Sequence, residues 1–264
     1  MIYISIIVII IVLYLVIHTY LVRISRNEVK ADVKKEFSFV HISDIHGSLR
    51  FINGSVSSII NKLSPNFVVV TGDLSNKQEQ LPKVLDELGK IVTENGIFLV
   101  LGNYEGQEIH GFRKANTDID MSINLIKENR SLTLLKNEHC LLNFDGNKVL
   151  LYGFDNSTYG KEHYEKSIDD IECDYKIILA HSPNIIKVIE QLAIACNQIL
   201  VGHTHGGQIN ILKFNGLGKY KDFHTGVKSY KNILFCISRG LGTVKIPIRI
   251  NCFPEISVYK IIPK

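Results

Sequence analysis

Seven residues of the types that bind hard or borderline cations stand at the ends of apolar runs in this 264-residue chain. They are Asp44 and His46 in "HISDIH", Asp73 in "VVVTGD", Asn103 in "FLVLGN", His181 in "KIILAH", and His203 with His205 in "ILVGHTH". Taken singly, each is weak: a D-x-H triplet or a G-D pair is common by chance, and two histidines at i and i+2 could face outward on a loop. Their order carries the weight. Asp73 follows Asp44 by 29 residues and Asn103 follows Asp73 by 30, each with an apolar run before it. In open α/β sheets, ligands bind in the crevice at the carboxyl ends of the strands. Seven nitrogen and oxygen donors exceed what one ion needs and suit two divalent cations about 3.5–4 Å apart with a carboxylate between them. Imidazole, carboxylate and amide donors without thiolate favour Mn, Fe or Zn. Gly72, Gly102 and Gly202 each precede a candidate ligand and are expected to let the chain turn there.

These residues need strands to present them. "FSFVHIS", "NFVVVTG", "GIFLVLGN", "KVLLYGF", "YKIILAHS" and "NQILVGH" read as strands buried on both faces, because their apolar character is nearly continuous. "SVSSIINKLS", "EQLPKVLDELGKIVTEN" and "DMSINLIKENR" have helical spacing. "SPNIIKVIEQLAIA" adds a start signal, with Ser182 as N-cap and Pro183 at the first helical position. The C-terminal third ("GQINIL", "NILFCIS", "PIRIN", "EISVYKI") lacks intervening helices, so an α/β layered domain is expected to finish in an antiparallel region.

The chain opens with a run from Ile2 to Val22 that carries no charged side chain. About 20 apolar residues suffice to cross a bilayer as a helix. A core helix would show a polar stripe, and a signal peptide would show basic residues before the run and a small-residue cleavage site after it. Neither pattern is present, so residues 1–24 are expected to form an uncleaved single-pass anchor. Residues 25–36 then read as a charged linker and 37–264 as one domain. Arg23, Arg26, Lys30, Lys34 and Lys35 put that domain on the cytoplasmic side by the positive-inside rule. Five cysteines without a CxxC pair suit the same reducing compartment. The net charge of +4 is spread along the chain with no basic block, which argues against nucleic acid as a partner.

The ordered series D-x-H, G-D, G-N, H and G-H-x-H resembles the calcineurin-like metallophosphoesterase superfamily. "GHTHGGQI" and "SRGLGTVKIPIRINCFPEI" resemble its membrane-associated bacterial branch, some of whose members act on lipid-linked or UDP-sugar pyrophosphates. The resemblance runs from Phe39 to the C-terminus. It implies a four-layer sandwich of two mixed β-sheets flanked by helices. It further implies that Asp44, His46 and His205 hold one metal, that Asn103, His181 and His203 hold a second, and that Asp73 bridges both. The expected activity is hydrolysis of a phosphodiester or pyrophosphate, with lipid-linked and nucleotide-sugar phosphates as candidates, by water activated between two divalent ions.

One position departs from that pattern. The family motif G-N-H-D/E reads Gly102-Asn103-Tyr104-Glu105 here. In the family the histidine stabilises phosphoryl oxygens or protonates the leaving group, and the acid after it orients the histidine. A phenol with a pKa near 10 can donate a hydrogen bond but is a poor general acid at pH 7. Losing such a helper costs about 10²–10⁴ in rate, and less when the leaving group has a low pKa, which points to a pyrophosphate or activated diester. The alternative is a catalytically weak or silent metal-binding regulatory protein. Arg239 in "SRGLG" could clamp a phosphate or form a surface ion pair. Gln208 reads as packing or ligand support. His110, His139, His163 and His224 read as surface residues, and His18 lies within the apolar run.

Overall fold

The fold is that of a computed structural model, described for residues 1–111, 113–155, 161–210 and 224–264. In chain order its elements are α1 (Ile2–Tyr20), β1 (Arg23–Ala31), β2 (Phe37–Ile42), β3 (Arg50–Phe51), β4 (Gly54–Ser55), α2 (Val56–Asn61), β5 (Phe67–Thr71), α3 (Leu81–Gly89), β6 (Ile97–Val100), β7 (Gln107–His110), β8 (Arg113–Asn116), α4 (Ile119–Glu128), β9 (Leu132–Leu134), β10 (Glu138–Phe144), β11 (Asn147–Gly153), β12 (Tyr175–Leu179), α5 (Ile185–Gln191), β13 (Gln198–Val201), β14 (Gly226–Tyr230), β15 (Ile233–Ile237) and β16 (Glu255–Pro263). Two six-stranded sheets result, in the orders β1-β16-β2-β5-β6-β9 and β10-β11-β12-β13-β15-β14. Both are mixed: β2, β5, β6 and β9 run parallel, as do β11, β12, β13 and β15, while β16–β2, β10–β11 and β14–β15 are antiparallel.

The continuous apolar runs are explained by the two-residue period of a strand with a core on each face. In β5, Phe67 and Val69 face the second sheet while Val68 and Val70 face helices α2 to α4. In β11, Val149 and Leu151 face the first sheet while Leu150 and Tyr152 face α5. Three cores therefore separate four layers: helices, sheet, sheet, helix. Aromatic rings fill much of the middle core, with Phe39 stacked on Phe67 at 4.9 Å and on Tyr259 at 5.1 Å.

Several boundaries differ from expectation. Residues 25–36 are not a linker: Arg23–Ala31 pairs in parallel with β16 along its whole length. Its charges hide a two-residue alternation from Arg26 onward, in which Asn27, Val29 and Ala31 turn inward while Arg26, Glu28 and Lys30 stay outside; Ile24 packs against the core on the opposite face. An edge strand tolerates that arrangement because its outer side faces water. Helix α5 starts at Ile185 with Asn184 as N-cap, and the Ser182 hydroxyl accepts from the Asn184 amide at 3.3 Å. Helix α3 ends at Gly89, short of "KIVTEN". The C-terminal strands do not form a separate antiparallel region; β15 inserts in parallel beside β13, and β16 lies between β1 and β2. "PIRIN" contributes one bridge, Ile209 to Ile250, and "GQINIL" runs partly outside the described residues.

The 19-residue helix α1 is long and apolar enough to cross a membrane. Its C-terminal end is fastened to the globular part. Thr19 is buried, and its hydroxyl accepts from the Arg249 amide at 2.9 Å. Tyr14 donates to Asn251 at 2.7 Å, and His18 lies 4.2 Å from the Phe253 ring, with Arg23 on that ring at 3.7 Å. Asn53 brackets Val22 through both its backbone groups.

Candidate metal centre

Each of the seven candidate residues follows the carboxyl end of a strand: β2 for Asp44 and His46, β5 for Asp73, β6 for Asn103, β12 for His181, and β13 for His203 and His205. The two sheets bring these ends together. Asp44, His46, Asp73 and His205 each offer a ligand atom within 4.8 Å of the others, and so do Asp73, His181 and His203. Asp73 belongs to both groups. His46 Nε2 lies 3.6 Å and His181 Nε2 3.2 Å from Asp73 Oδ2, and His205 Nε2 lies 3.4 Å from Asp44 Oδ1. The Nε2 atoms of His46 and His205 face one another at 3.1 Å, and His203 Nδ1 faces His181 Nε2 at 3.0 Å. Asn103 is buried at the same rim, and neither its amide oxygen nor its nitrogen has a hydrogen-bond partner among the described residues. A buried amide normally finds partners, and one aimed at a cluster of carboxylates and imidazoles has the character of a vacant oxygen ligand.

The backbone makes these turns in an unexpected way. Asp44, His46, Asp73, His203 and His205 all have positive φ, between 47° and 72°. Side-chain-bearing residues rarely adopt that conformation, and it persists where surrounding structure enforces it, often at functional sites. Of the glycines expected to turn, only Gly72 does so by positive φ. Gly102 and Gly202 supply clearance instead. A Cβ on Gly102 would fall 2.3 Å from Asp73 Oδ1, and one on Gly202 would overlap the Ser43 hydroxyl and the Asp44 carboxylate.

The carboxylates are held by the backbone. Both oxygens of Asp44 accept from the His203 amide, at 3.1 and 3.0 Å, and Asp73 Oδ1 accepts from the Tyr104 amide at 2.8 Å. Glu105 accepts from the amides of Gly102 (2.6 Å), Leu74 (2.8 Å) and Asp73 (3.2 Å). This acid therefore clamps the loop backbone. His181 Nδ1 donates to the Thr71 carbonyl at 2.8 Å, which leaves Nε2 facing the cluster.

Burial dominates the charge balance. It pushes Asp44 up to about 6, His46 down to about 4 and His205 well below its ordinary value. Burial also acts on Asp73 and His181, but their mutual charge and hydrogen bond overcome it. Asp73 is held well below the carboxylate range and His181 rises to about 10. Glu105 is raised to about 7 by burial and by the Asp73 charge beside it. Neutral His46 and His205 beside buried carboxylates are part of the donor set a divalent ion requires, and the positive charge His181 carries beside Asp73 is one that such an ion would replace.

Tyr104 is buried with its ring edge-on to His46 at 4.7 Å. Arg239 stands beside the His205 loop, with Nε 4.0 Å from Glu255. His110 pairs with Glu108 at the surface, whereas His224 is half-buried and accepts the Thr204 hydroxyl on its carbonyl. Gln208 holds the loop opposite: its Oε1 accepts from Val244 N, and its Nε2 donates to the carbonyls of Val244, Ile246 and Ile248.

Two supporting residues gave no signal in the sequence. Arg249 is wholly buried and donates to the carbonyls of Gly242, Arg239, Cys252 and His205, so it braces the loop of a cluster histidine from behind. Asn76 donates to the carbonyls of His46 and Thr243, while its own carbonyl receives Ile109 of β7.

A model of the calcineurin-like phosphoesterase family matches residues 37–207. The uncharacterized metallophosphoesterase YkoQ of Bacillus subtilis is 27% identical over 240 residues, which cover 86% of this chain and 84% of that protein. A bovine (Bos taurus) transmembrane protein with a metallophosphoesterase domain is 26% identical over 215 residues, 75% of this chain but 46% of that one. Among solved structures, the NAD nucleotidase NadN of Haemophilus influenzae superimposes with a TM-score of 0.53 at 14% identity, over 80% of this chain and 46% of NadN, a likeness of fold alone. The family match spans well over half of the sequence and includes six of the strand-end residues through His203 together with His205. The chain belongs to the calcineurin-like phosphoesterase family and is a metallophosphoesterase.

Proposed function

We propose that the chain is a membrane-anchored hydrolase of phosphodiesters or pyrophosphates that works with two divalent ions, Mn, Fe or Zn. The observation that carries this reading is the pair of ligand clusters sharing Asp73. Asp44, His46 and His205 hold one ion, His181, His203 and Asn103 the other, and Asp73 both. When bound, such a pair offsets charge on a phosphate and lowers the pKa of a water between them. The chain's own part is positional. Glu105 and the Tyr104 amide keep Asp73 in place, the Thr71 carbonyl orients His181, and Arg249 backs the His205 loop. Tyr104 covers His46 and lines the approach; as a phenol it is a poor general acid at neutral pH. Arg239, beside the His205 loop, adds positive charge on the phosphate side.

Helix α1 is the single membrane span, with the catalytic unit on the cytoplasmic side as the basic residues after it direct. That unit begins at β1, because Arg23–Ala31 completes the first sheet. This placement is consistent with a lipid-linked or nucleotide-sugar phosphate arriving at the membrane surface, and it fits the resemblance to the membrane-associated bacterial branch.

The test uses the full chain in detergent. Metal analysis is expected to find about two ions per chain, a number set by the shared-carboxylate geometry. With added Mn²⁺, hydrolysis is expected for a phosphodiester or a nucleotide-sugar pyrophosphate ahead of an alkyl phosphomonoester. Less than one ion per chain would refute the reading. Two bound ions with no turnover on any of the three substrates would favour a silent regulatory protein.

A further inference from the structure

Tyr104 is a poor proton donor for a departing oxygen, and the structure brings a cationic group close to it. Lys114 lies on β8 of the hairpin that follows the Gly102–Gly106 loop, and its Nζ sits 4.6 Å from the Tyr104 ring centroid. The edge of that ring rests against His46 at 4.7 Å, so one aromatic side chain separates the ammonium from the candidate centre. Lys114 has no ion-pair partner among the described residues. Partial loss of water around its ammonium lowers its pKa, and the charges it feels are first Asp73 and then Lys245. A cation–π contact is worth about 0.5–2 kcal/mol and leaves the charge uncancelled.

Lys245 is exposed on a loop fixed at both flanks. Gln208 binds Val244 and Ile246, and Asn76 binds Thr243. Asn76 also receives Ile109 from the hairpin, so a single residue sets both lysine-bearing segments against the cluster. Both segments are thus anchored at one residue, and two like charges carried on neighbouring segments favour an anion there.

We propose that Lys114, propped on Tyr104, and Lys245 form a cationic lip that binds an anionic leaving group, replacing proton donation by fixed charge. The proposal rests on the phosphoesterase reading above. In the hydrolysis, the water oxygen forms a new bond to phosphorus and the bond to the bridging oxygen breaks. The bridging oxygen departs with the electron pair, its charge meets the two ammonium groups, and the proton of the water passes to solvent. A phosphate leaving group, whose second pKa is about 6, can depart without a proton. An alkoxide cannot. The lip therefore selects pyrophosphates over esters of simple alcohols, and Tyr104 serves as a platform for the cation.

The test uses the full chain in detergent with Mn²⁺, and compares a nucleotide-sugar pyrophosphate with an alkyl phosphodiester, whose leaving group is a simple alcohol. A separate calorimetric titration measures affinity for inorganic pyrophosphate, which requires no turnover. Lys114→Gln is expected to lose about tenfold more kcat/KM on the pyrophosphate than on the diester, and to bind inorganic pyrophosphate about tenfold more weakly. Lys114→Arg should recover most of both losses, and Lys245→Gln should repeat the pattern more mildly. Arg113→Gln, an exposed neighbour, should leave the ratio and the affinity unaltered, and metal content should match the wild type throughout. Equal losses on the two substrates, or unaltered affinity in both lysine variants, would overturn the lip while leaving the phosphoesterase reading intact. Absence of metal and of all hydrolysis would sink that reading instead, and the pyrophosphate titration would still decide the lip.

Discussion

Asp73 and Lys114 both approach the Tyr104 residue, but they are held on different terms. Asp73 is gripped by the backbone: its Oδ1 takes the Tyr104 amide, its own amide goes to Glu105, and its φ is fixed at 56°. Lys114 touches only the face of the same residue's ring, from an exposed strand of a two-stranded hairpin. The first arrangement defines where an ion can sit within a few tenths of an ångström. The second allows a charge to follow a substrate of variable shape. A rigid floor under an adjustable rim is what a reaction with constant chemistry and a large substrate requires, because metal geometry tolerates little error whereas substrate bodies differ.

The contrast can be broken at the floor first. Asp73→Asn removes the one carboxylate common to both clusters, so hydrolysis should fall below detection and bound metal should drop from both positions, as metal analysis would report. Tyr104→His is the next largest. It should accelerate an ester with a poor alkoxide leaving group by up to about 10²-fold, the lower range for a general acid, while slowing the pyrophosphate because the ring platform is gone. Acceleration of both substrates alike would mean that the tyrosine merely weakens the catalyst. Thr19→Val leaves the Arg249 amide buried without its acceptor, at a cost of about 1–3 kcal/mol, readable as a lowered thermal midpoint. If Arg249 transmits that disturbance, the His205 position should lose metal affinity in the same titration. Asn76→Ala should be mildest, raising KM a few-fold, since it frees the Thr243 segment and one carbonyl of the His46 loop, while the backbone bond to Ile109 and the metal ligands stay in place.

Much of the floor was legible because metal ligation is written in residue types and strand ends are written in apolar runs. Asp44, His46, Asp73, Asn103, His181, His203 and His205 could all be found from that combination. Their left-handed backbone could not, because aspartate and histidine carry no preference strong enough to announce it. The attention of a sequence reader goes to the adjacent glycines, two of which turn out to supply clearance. Glu105 was found from the motif, but its hold on the backbone amides of Gly102, Asp73 and Leu74 was not legible, since nothing local announces which amides a carboxylate will receive. The rim was illegible for a different reason. Lys114 and Lys245 are 131 positions apart in sequence, and only the fold shows that Asn76 joins the segments that carry them. Strand β1 was missed because six of its nine residues are polar or charged; its alternation gains meaning only with β16 alongside.

One consequence follows from the attachment of α1. Tyr14 lies six residues before Tyr20, about 9 Å along the helix axis, and it bonds to Asn251 at 2.7 Å. Two residues before Asn251, Arg249 reaches the carbonyl of His205. With α1 embedded in a bilayer, no slack chain separates lipid from reaction centre, and the standoff height is set by one arginine side chain. Such an enzyme cannot sweep the surrounding volume on a leash. On the proposed reading of an anchored enzyme with a membrane-borne substrate, encounters are confined to a thin slab, so velocity should track how densely substrate covers the surface, and diluting that surface with inert lipid should slow it even at constant bulk concentration.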